Sequence, residues 1–112
     1  MTPAYDIHPA AQEEFHEIIR HYAAIDEDDP AKPLASAFGA AFQRHLRMIL
    51  TTPELFKLRR PPTRRANLKP RFGAYYIAYM IWKERVVILA VAHAKRRPYY
   101  WRKRVQESKE LF

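Results

Sequence analysis

The stretch that decides the fold is AYYIAYMIWKERVVILAVA, residues 74–92. Its first part, residues 74–82, is rich in aromatic and β-branched side chains, and its second part, residues 86–92, is almost purely aliphatic. Both compositions favour strands, and the polar residues Lys83, Glu84 and Arg85 between them predict the turn of a β-hairpin. Because an unbroken aliphatic strand is usually covered on both faces, we expect a cover on each side of this hairpin.

The segment before the hairpin predicts two amphipathic helices. Apolar residues at steps of three and four predict a first helix over about residues 9–23, with Pro9 in the first turn. An acidic break at residues 26–30 follows, and a second helix is predicted from about residues 30–33 to residue 51. The two helices would form a helical hairpin that covers one face of the sheet.

Shorter elements complete the expected order. The alternation of Tyr5, Asp6 and Ile7 suits a short first strand. Residues 53–67 are rich in Pro and Arg and are expected to form a loop, with a short edge strand over residues 68–72. Pro98 could start a short C-terminal helix. The order predicts one α+β domain over residues 1–112, with a small antiparallel sheet packed against the helical hairpin.

Composition limits the class of protein. The 112 residues are 48% hydrophobic, which is enough for one core and argues against disorder. Cysteine is absent, which excludes disulfides and a cysteine nucleophile. The first residues show no secretory signal, and the longest apolar run, residues 73–82, is about half of the ~20 residues that a membrane helix needs. We therefore expect a soluble cytoplasmic protein with no membrane partner.

Charge is distributed unevenly along the chain. The formal net charge is +8, yet residues 1–56 hold four Lys and Arg against nine acids. Residues 57–112 hold the other sixteen Lys and Arg against three acids. Such a one-sided field predicts a polyanionic partner, which could be RNA, DNA or an acidic protein segment.

The histidines and acidic residues do not have the spacing of a metal site. His16 and His21 are five residues apart, whereas one helical face needs a spacing of three or four. The acids at residues 26–29 lack the spacing of a calcium loop. We expect no metal ion and no other cofactor.

The order of these landmarks resembles the RelE/ParE superfamily of toxins from type II toxin–antitoxin systems. The resemblance covers roughly residues 4–104 and is strongest from Arg71 through residues 87–93. A hydrophobic strand that runs into His93, then basic residues, Pro98 and an aromatic-basic tail, is similar to the ParE or plasmid-stabilisation branch. The resemblance implies a small sheet packed on a helical hairpin. Within it, Pro70 falls inside the expected second strand.

The resemblance also implies the function. ParE-like members are inhibitors of DNA gyrase, and RelE-like members are ribosome-dependent endoribonucleases that cut mRNA. Both are neutralised by an antitoxin, here expected to be ParD-like or similar and encoded nearby. The prediction is a ParE-like toxin that arrests growth by inhibiting gyrase and is not itself an enzyme. The alternatives are a metal-free endoribonuclease that acts on the ribosome and mRNA, and an inactive member that binds only antitoxin or nucleic acid.

Three sets of residues are candidates for contacts or chemistry. RNA cleavage without a metal needs a proton acceptor, a proton donor and a cation beside the phosphate. The candidates under this alternative are Arg71, His93, Arg96 and Tyr99. The basic-aromatic tail is the candidate for binding the cellular target, through Lys95, Arg96, Arg97, Tyr100, Trp101, Arg102 and Arg104. The helical stripes are first of all core, and their grooves are candidates for antitoxin binding through Phe15, Ile19, Tyr22, Phe38 and Phe42.

Overall fold

A computed structural model describes residues 4–112. Residues 1–3, part of the N-terminal segment in which no secretory signal is expected, lie outside the described residues. The order of helices and strands confirms the predicted α+β fold, with a helical hairpin, a small sheet and a short C-terminal helix. The elements are β1 (Tyr5–Ile7), α1 (Pro9–Asp28), α2 (Leu34–Thr51), β2 (Thr63–Leu68), β3 (Phe72–Trp82), β4 (Arg85–His93) and α3 (Lys103–Leu111).

The four strands form one sheet in the order β1-β4-β3-β2. Strand β3 pairs antiparallel with β2 and β4, whereas β1 pairs parallel with β4, with Tyr5 opposite Val86 and Ile7 opposite Ile88. The sheet is therefore mixed and not wholly antiparallel as expected. Parallel neighbours need a long connection, and the helical hairpin with β2 and β3 provides it.

The first helix is about five residues longer than predicted. It continues to Asp28, through part of the acidic segment that was expected to break it. The carboxylate of Asp26 accepts hydrogen bonds from the backbone N–H groups of Leu34 at 2.8 Å and Ala35 at 3.0 Å. These bonds satisfy two backbone N–H groups in the first turn of α2 that have no partner within the helix. Asp26 is thus part of α1 and also caps α2.

The predicted loop over residues 53–67 is wrong for its last five residues, because the edge strand β2, expected over residues 68–72, occupies residues 63–68. Thr63, Ala66 and Leu68 are buried, while the arginines at 64 and 65 are half-buried. Arginine can lay its aliphatic stem along apolar surface, so a strand that packs on the core can still have a charged composition. Pro70 therefore lies in the turn between β2 and β3 and not inside a strand.

Each face of the sheet has its own cover, as the aliphatic strand predicted. On one face, α1 and α2 pack over residues such as Ile77, Tyr79, Ile88 and Val91. On the other face, Met80 and other buried residues lie under the tail of residues 99–112. The helix in this tail begins at Lys103, and not near Pro98 as predicted. No helix within residues 4–112 has the length and apolar character needed to cross a membrane.

Candidate functional site

Glu14 on α1 is a buried carboxylate that joins three parts of the molecule. It is 9% exposed and accepts a hydrogen bond from the backbone N–H of Val91 on β4 at 3.1 Å. The guanidinium of Arg104 on α3 donates to its two oxygens at 2.8 and 3.2 Å, and the hydroxyl of Tyr100 also donates to it. A buried charge is costly unless it is paired and hydrogen-bonded, and Glu14 is both. It therefore fixes the tail against α1 and β4.

Glu14 and Arg104 bind the backbone of β4 along the part of its edge that β1 does not cover. Pairing of β1 with β4 ends at Ile88, and β4 continues to His93. Beyond Ile88, the N–H of Val91 bonds Glu14, and the carbonyl of Leu89 accepts from Arg104 at 3.2 Å. Unpaired strand edges are templates for association with other strands, so these two side chains protect the edge.

An open cavity of about 300 Å³ lies where α1 passes this end of the sheet. The guanidinium of Arg96 lies 3.6 Å from the Glu14 carboxylate and 3.8 Å from the centre of the Tyr100 ring. The His93 ring meets the Tyr75 ring at 4.8 Å, and its Nδ1 accepts the N–H of Lys95 at 3.0 Å. This bond leaves the ring proton on Nε2. The residues lining the cavity are Glu14, Glu17, Ile18, His21, Tyr75, Val91, His93, Arg96 and Tyr100.

Two phenols in this part of the molecule have raised pKa values: Tyr100, which lines the cavity, and Tyr22 on α1, which packs against Tyr75 outside it. Burial, together with a hydrogen bond to Tyr75, raises the pKa of Tyr22 to about 12. Burial and the hydrogen bond to Glu14 raise the pKa of Tyr100 above its usual range. Both side chains therefore act as hydrogen-bond donors at neutral pH and do not supply a phenolate base.

The candidate catalytic residues are only partly brought together. His93 and Arg96 line the cavity, while Arg71 lies exposed just before β3, with its guanidinium 5.5 Å from the Phe72 ring. Tyr99 packs on the opposite face of the sheet, 5.4 Å from the Trp101 ring. The adjacent Tyr100 takes the place in the cavity that was considered for Tyr99.

A family model described as the ParE toxin of the type II toxin–antitoxin system parDE matches residues 5–98. The chain belongs to this family. The matched region contains the helical hairpin and all four strands, and it confirms the resemblance to the RelE/ParE superfamily. A comparison with curated proteins found no match. The protein is thus the toxin of a type II toxin–antitoxin system, and a cognate antitoxin is its partner.

The candidate target-binding residues of the toxin fall into two groups, exposed and buried or half-buried. Lys95, Arg96, Arg97 and Arg102 are exposed. Trp101 is 3% exposed and donates its Nε1–H to the Tyr76 hydroxyl at 3.1 Å. Tyr100 and Arg104 are half-buried against Glu14. The structure thus binds the side chains of Trp101, Tyr100 and Arg104 within the toxin.

The candidate antitoxin-binding residues lie between the two helices. Phe38 and Phe42 are 0% and 5% exposed, so they belong to the core and have no free surface for an antitoxin. Phe15, Ile19 and Tyr22 are half-buried and pack against this core. The structure therefore places two of the five candidates in the core and three at its edge.

Sequence reasoning missed Glu14 as an organising residue of the toxin. Its position carried a signal, because Glu14 lies three residues after Ala11 and four before Ile18, on the apolar stripe of α1. An acid on the buried face of an amphipathic helix needs a partner. The partners Tyr100 and Arg104 are about ninety residues away along the chain, and only the fold identifies them.

Proposed function

We propose that the toxin arrests growth by inhibiting DNA gyrase and that a ParD-like antitoxin neutralises it. The observation that carries the proposal is the match of residues 5–98 to the ParE toxin family. The exposed basic residues of the tail support it, because they offer a cationic surface to a large partner. In this proposal Lys95, Arg96, Arg97 and Arg102 contact the target.

The geometry of the ribonuclease candidates favours the gyrase proposal over RNA cleavage. Acid–base catalysis needs its groups within about 3 Å of the reacting atoms. Tyr99 and His93 lie on opposite faces of the sheet, and Arg71 is not among the residues that line the cavity with His93 and Arg96. RNA cleavage by these four residues would require the side chains to move together.

The half-buried residues Phe15, Ile19 and Tyr22 remain the proposed antitoxin contacts. They lie at the edge of the core, where a partner segment could bury the rest of their surface. An amphipathic segment that docks on a helical surface commonly uses such apolar anchors. Its acids would be attracted to the basic half of the toxin.

The test uses purified toxin freed of antitoxin, in a supercoiling assay with gyrase and relaxed plasmid. We expect supercoiling to be lost, and mRNA in a translating extract to stay intact. The pair Lys95→Gln and Arg97→Gln should raise the toxin concentration needed for half inhibition by about tenfold, because both remove target-facing charge. The pair Arg44→Gln and Arg47→Gln removes the same charge from exposed positions on α2 and should leave inhibition unchanged.

A second variant separates the two activities. His93→Ala should retain full gyrase inhibition, since the proposal gives His93 no contact with the target. Cut mRNA together with normal supercoiling would overturn the proposal and point to RNA cleavage. Normal supercoiling with intact mRNA would favour an inactive family member.

A further inference from the structure

A cluster of cations surrounds Tyr99 on the face of the sheet that the tail covers. Two adjoining cavities of about 420 and 300 Å³, and a smaller one beside them, all have Tyr99 in their walls. We refer to this surface as the basic cleft. Its cationic residues are Arg59, Arg60, Arg64, Arg65, Arg97, Arg102 and Lys103.

The charge of the basic cleft is not neutralised within the described part of the chain. No carboxylate is among the residues that line the three cavities, and none of the seven cations forms an ion pair with another residue of the range 4–112. By contrast, Arg96 and Arg104 are both paired with Glu14. Seven like charges in one region repel each other, so the cleft favours an anionic ligand.

Two of these cations stack on aromatic rings. The guanidinium of Arg60 lies 4.4 Å from the centre of the Tyr99 ring, and that of Arg65 lies 3.8 Å from the centre of the Tyr76 ring. Arg65 also donates its Nε–H to Asn67 at 3.2 Å. Stacking fixes the plane of a guanidinium and leaves N–H groups at its edge to bind phosphate oxygens.

The backbone on both sides of this contact is strained. Arg60 has φ of 42° and Tyr99 has φ of 57°, in the left-handed region that bulky residues avoid. Such conformations persist only where the surrounding structure enforces them, and they concentrate at functional sites. Here they bring the Arg60 and Tyr99 side chains together from segments about forty residues apart.

The aromatic rings of the cleft leave little room for nucleobases. Tyr99 lies between Arg60 and Trp101, and Tyr76 and Trp101 are each 3% exposed. Proteins that bind single strands use open aromatic faces on which bases stack. The basic cleft instead presents guanidinium groups, which suit the phosphate backbone of a duplex.

We propose that the basic cleft binds the phosphate backbone of double-stranded DNA without sequence preference. The choice of DNA over RNA rests on the proposed gyrase target, since gyrase acts on duplex DNA. The toxin would then contact the DNA as well as the enzyme. Direct binding of DNA by the toxin is measured without gyrase, so its outcome is independent of the supercoiling assay.

The test is fluorescence anisotropy of a labelled DNA duplex titrated with the full-length toxin at several salt concentrations. We expect the pair Arg59→Gln and Arg102→Gln, both exposed residues of the cleft, to weaken binding about tenfold at low salt. The slope of log affinity against log salt should become shallower by about 2. The pair Arg44→Gln and Arg47→Gln, exposed on α2 over the other face of the sheet, removes the same charge and should change neither value.

Four outcomes would overturn the proposal. An equal loss of DNA affinity in the cleft double variant and the α2 double variant would show that net charge alone drives binding. Tighter binding of the single strand would contradict the duplex backbone as the ligand. Tighter binding of an RNA duplex would exclude DNA as the preferred nucleic acid. Displacement of the duplex by polyglutamate at equal charge concentration would indicate an acidic protein surface as the partner.

Discussion

The Glu14 carboxylate gives a residue-scale prediction for stability. Glu14→Gln retains the shape of the side chain but removes the charge opposite Arg104, which has only 16% of its side chain exposed. Removing one partner of a buried ion pair leaves the other charge uncompensated and costs about 3 kcal/mol. We expect urea unfolding to show a loss of this size in the free energy of unfolding.

The neighbouring Glu13 is the matched control. It lies on the same helix and pairs with Arg20 at 2.6 Å, but both side chains are mostly exposed. Exposed ion pairs contribute about 0–1 kcal/mol, so Glu13→Gln should change stability little. A similar loss in both variants would contradict the role assigned to Glu14.

Sequence reasoning anticipated which cations of the tail are exposed, but not which of its side chains are bound within the toxin. The residue types of the tail correctly indicated a cationic surface at Lys95, Arg97 and Arg102. The same reasoning placed Trp101 and Arg104 on that surface, although one is in the core and the other is bound to Glu14. Residue type describes what a side chain can bind, whereas its actual partner depends on the fold.

The turn between β3 and β4 gives a prediction at the scale of an element. Lys83 and Glu84 have φ of 53° and 65°, the left-handed values that a two-residue hairpin turn requires. A side chain in this region costs about 1 kcal/mol, and glycine avoids the cost. Glu84→Gly should therefore raise the free energy of unfolding by about 1 kcal/mol in urea titrations.

Glu84→Ala distinguishes relief of backbone strain from loss of the glutamate side chain. Alanine removes the carboxylate but keeps the Cβ atom that disfavours a positive φ, so its stability should stay near that of the parent. If alanine stabilises as much as glycine, the gain comes from the lost charge and the strain argument is wrong.

Also at the scale of the element, long apolar stretches predicted the two hairpin strands well. Local composition, by contrast, gave wrong boundaries for β2 and for the end of α1. The hairpin strands were expected at residues 74–82 and 86–92, and they occupy Phe72–Trp82 and Arg85–His93. The edge strand β2 was expected at residues 68–72 and lies at residues 63–68, because two of its six residues are arginines whose stems pack on the sheet. The end of α1 was misplaced because the bonds of Asp26 to the next helix are not visible in helical periodicity.

At the scale of the whole molecule, the sheet depends on residues outside the family match. The match ends at Pro98, but the second face of the sheet is covered by the tail that follows. Trp101 lies at the centre of that cover and bonds Tyr76. The lysine at position 83 also bonds the backbone of Phe112, at the far end of the tail.

Residues 99–112 are therefore expected to stabilise the whole fold, in addition to the part that Arg102 is proposed to have in target contact. Deleting residues 99–112 should abolish the cooperative thermal transition, since Met80, Val87 and Leu89 would lose their cover. Trp101→Ala, which keeps the chain intact, should cost about 4 kcal/mol. Leu111→Ala on the exposed side of α3 should cost less than about 0.5 kcal/mol. An unchanged melting temperature in the truncated toxin would show that the sheet is stable without this cover, and the tail would then serve binding alone.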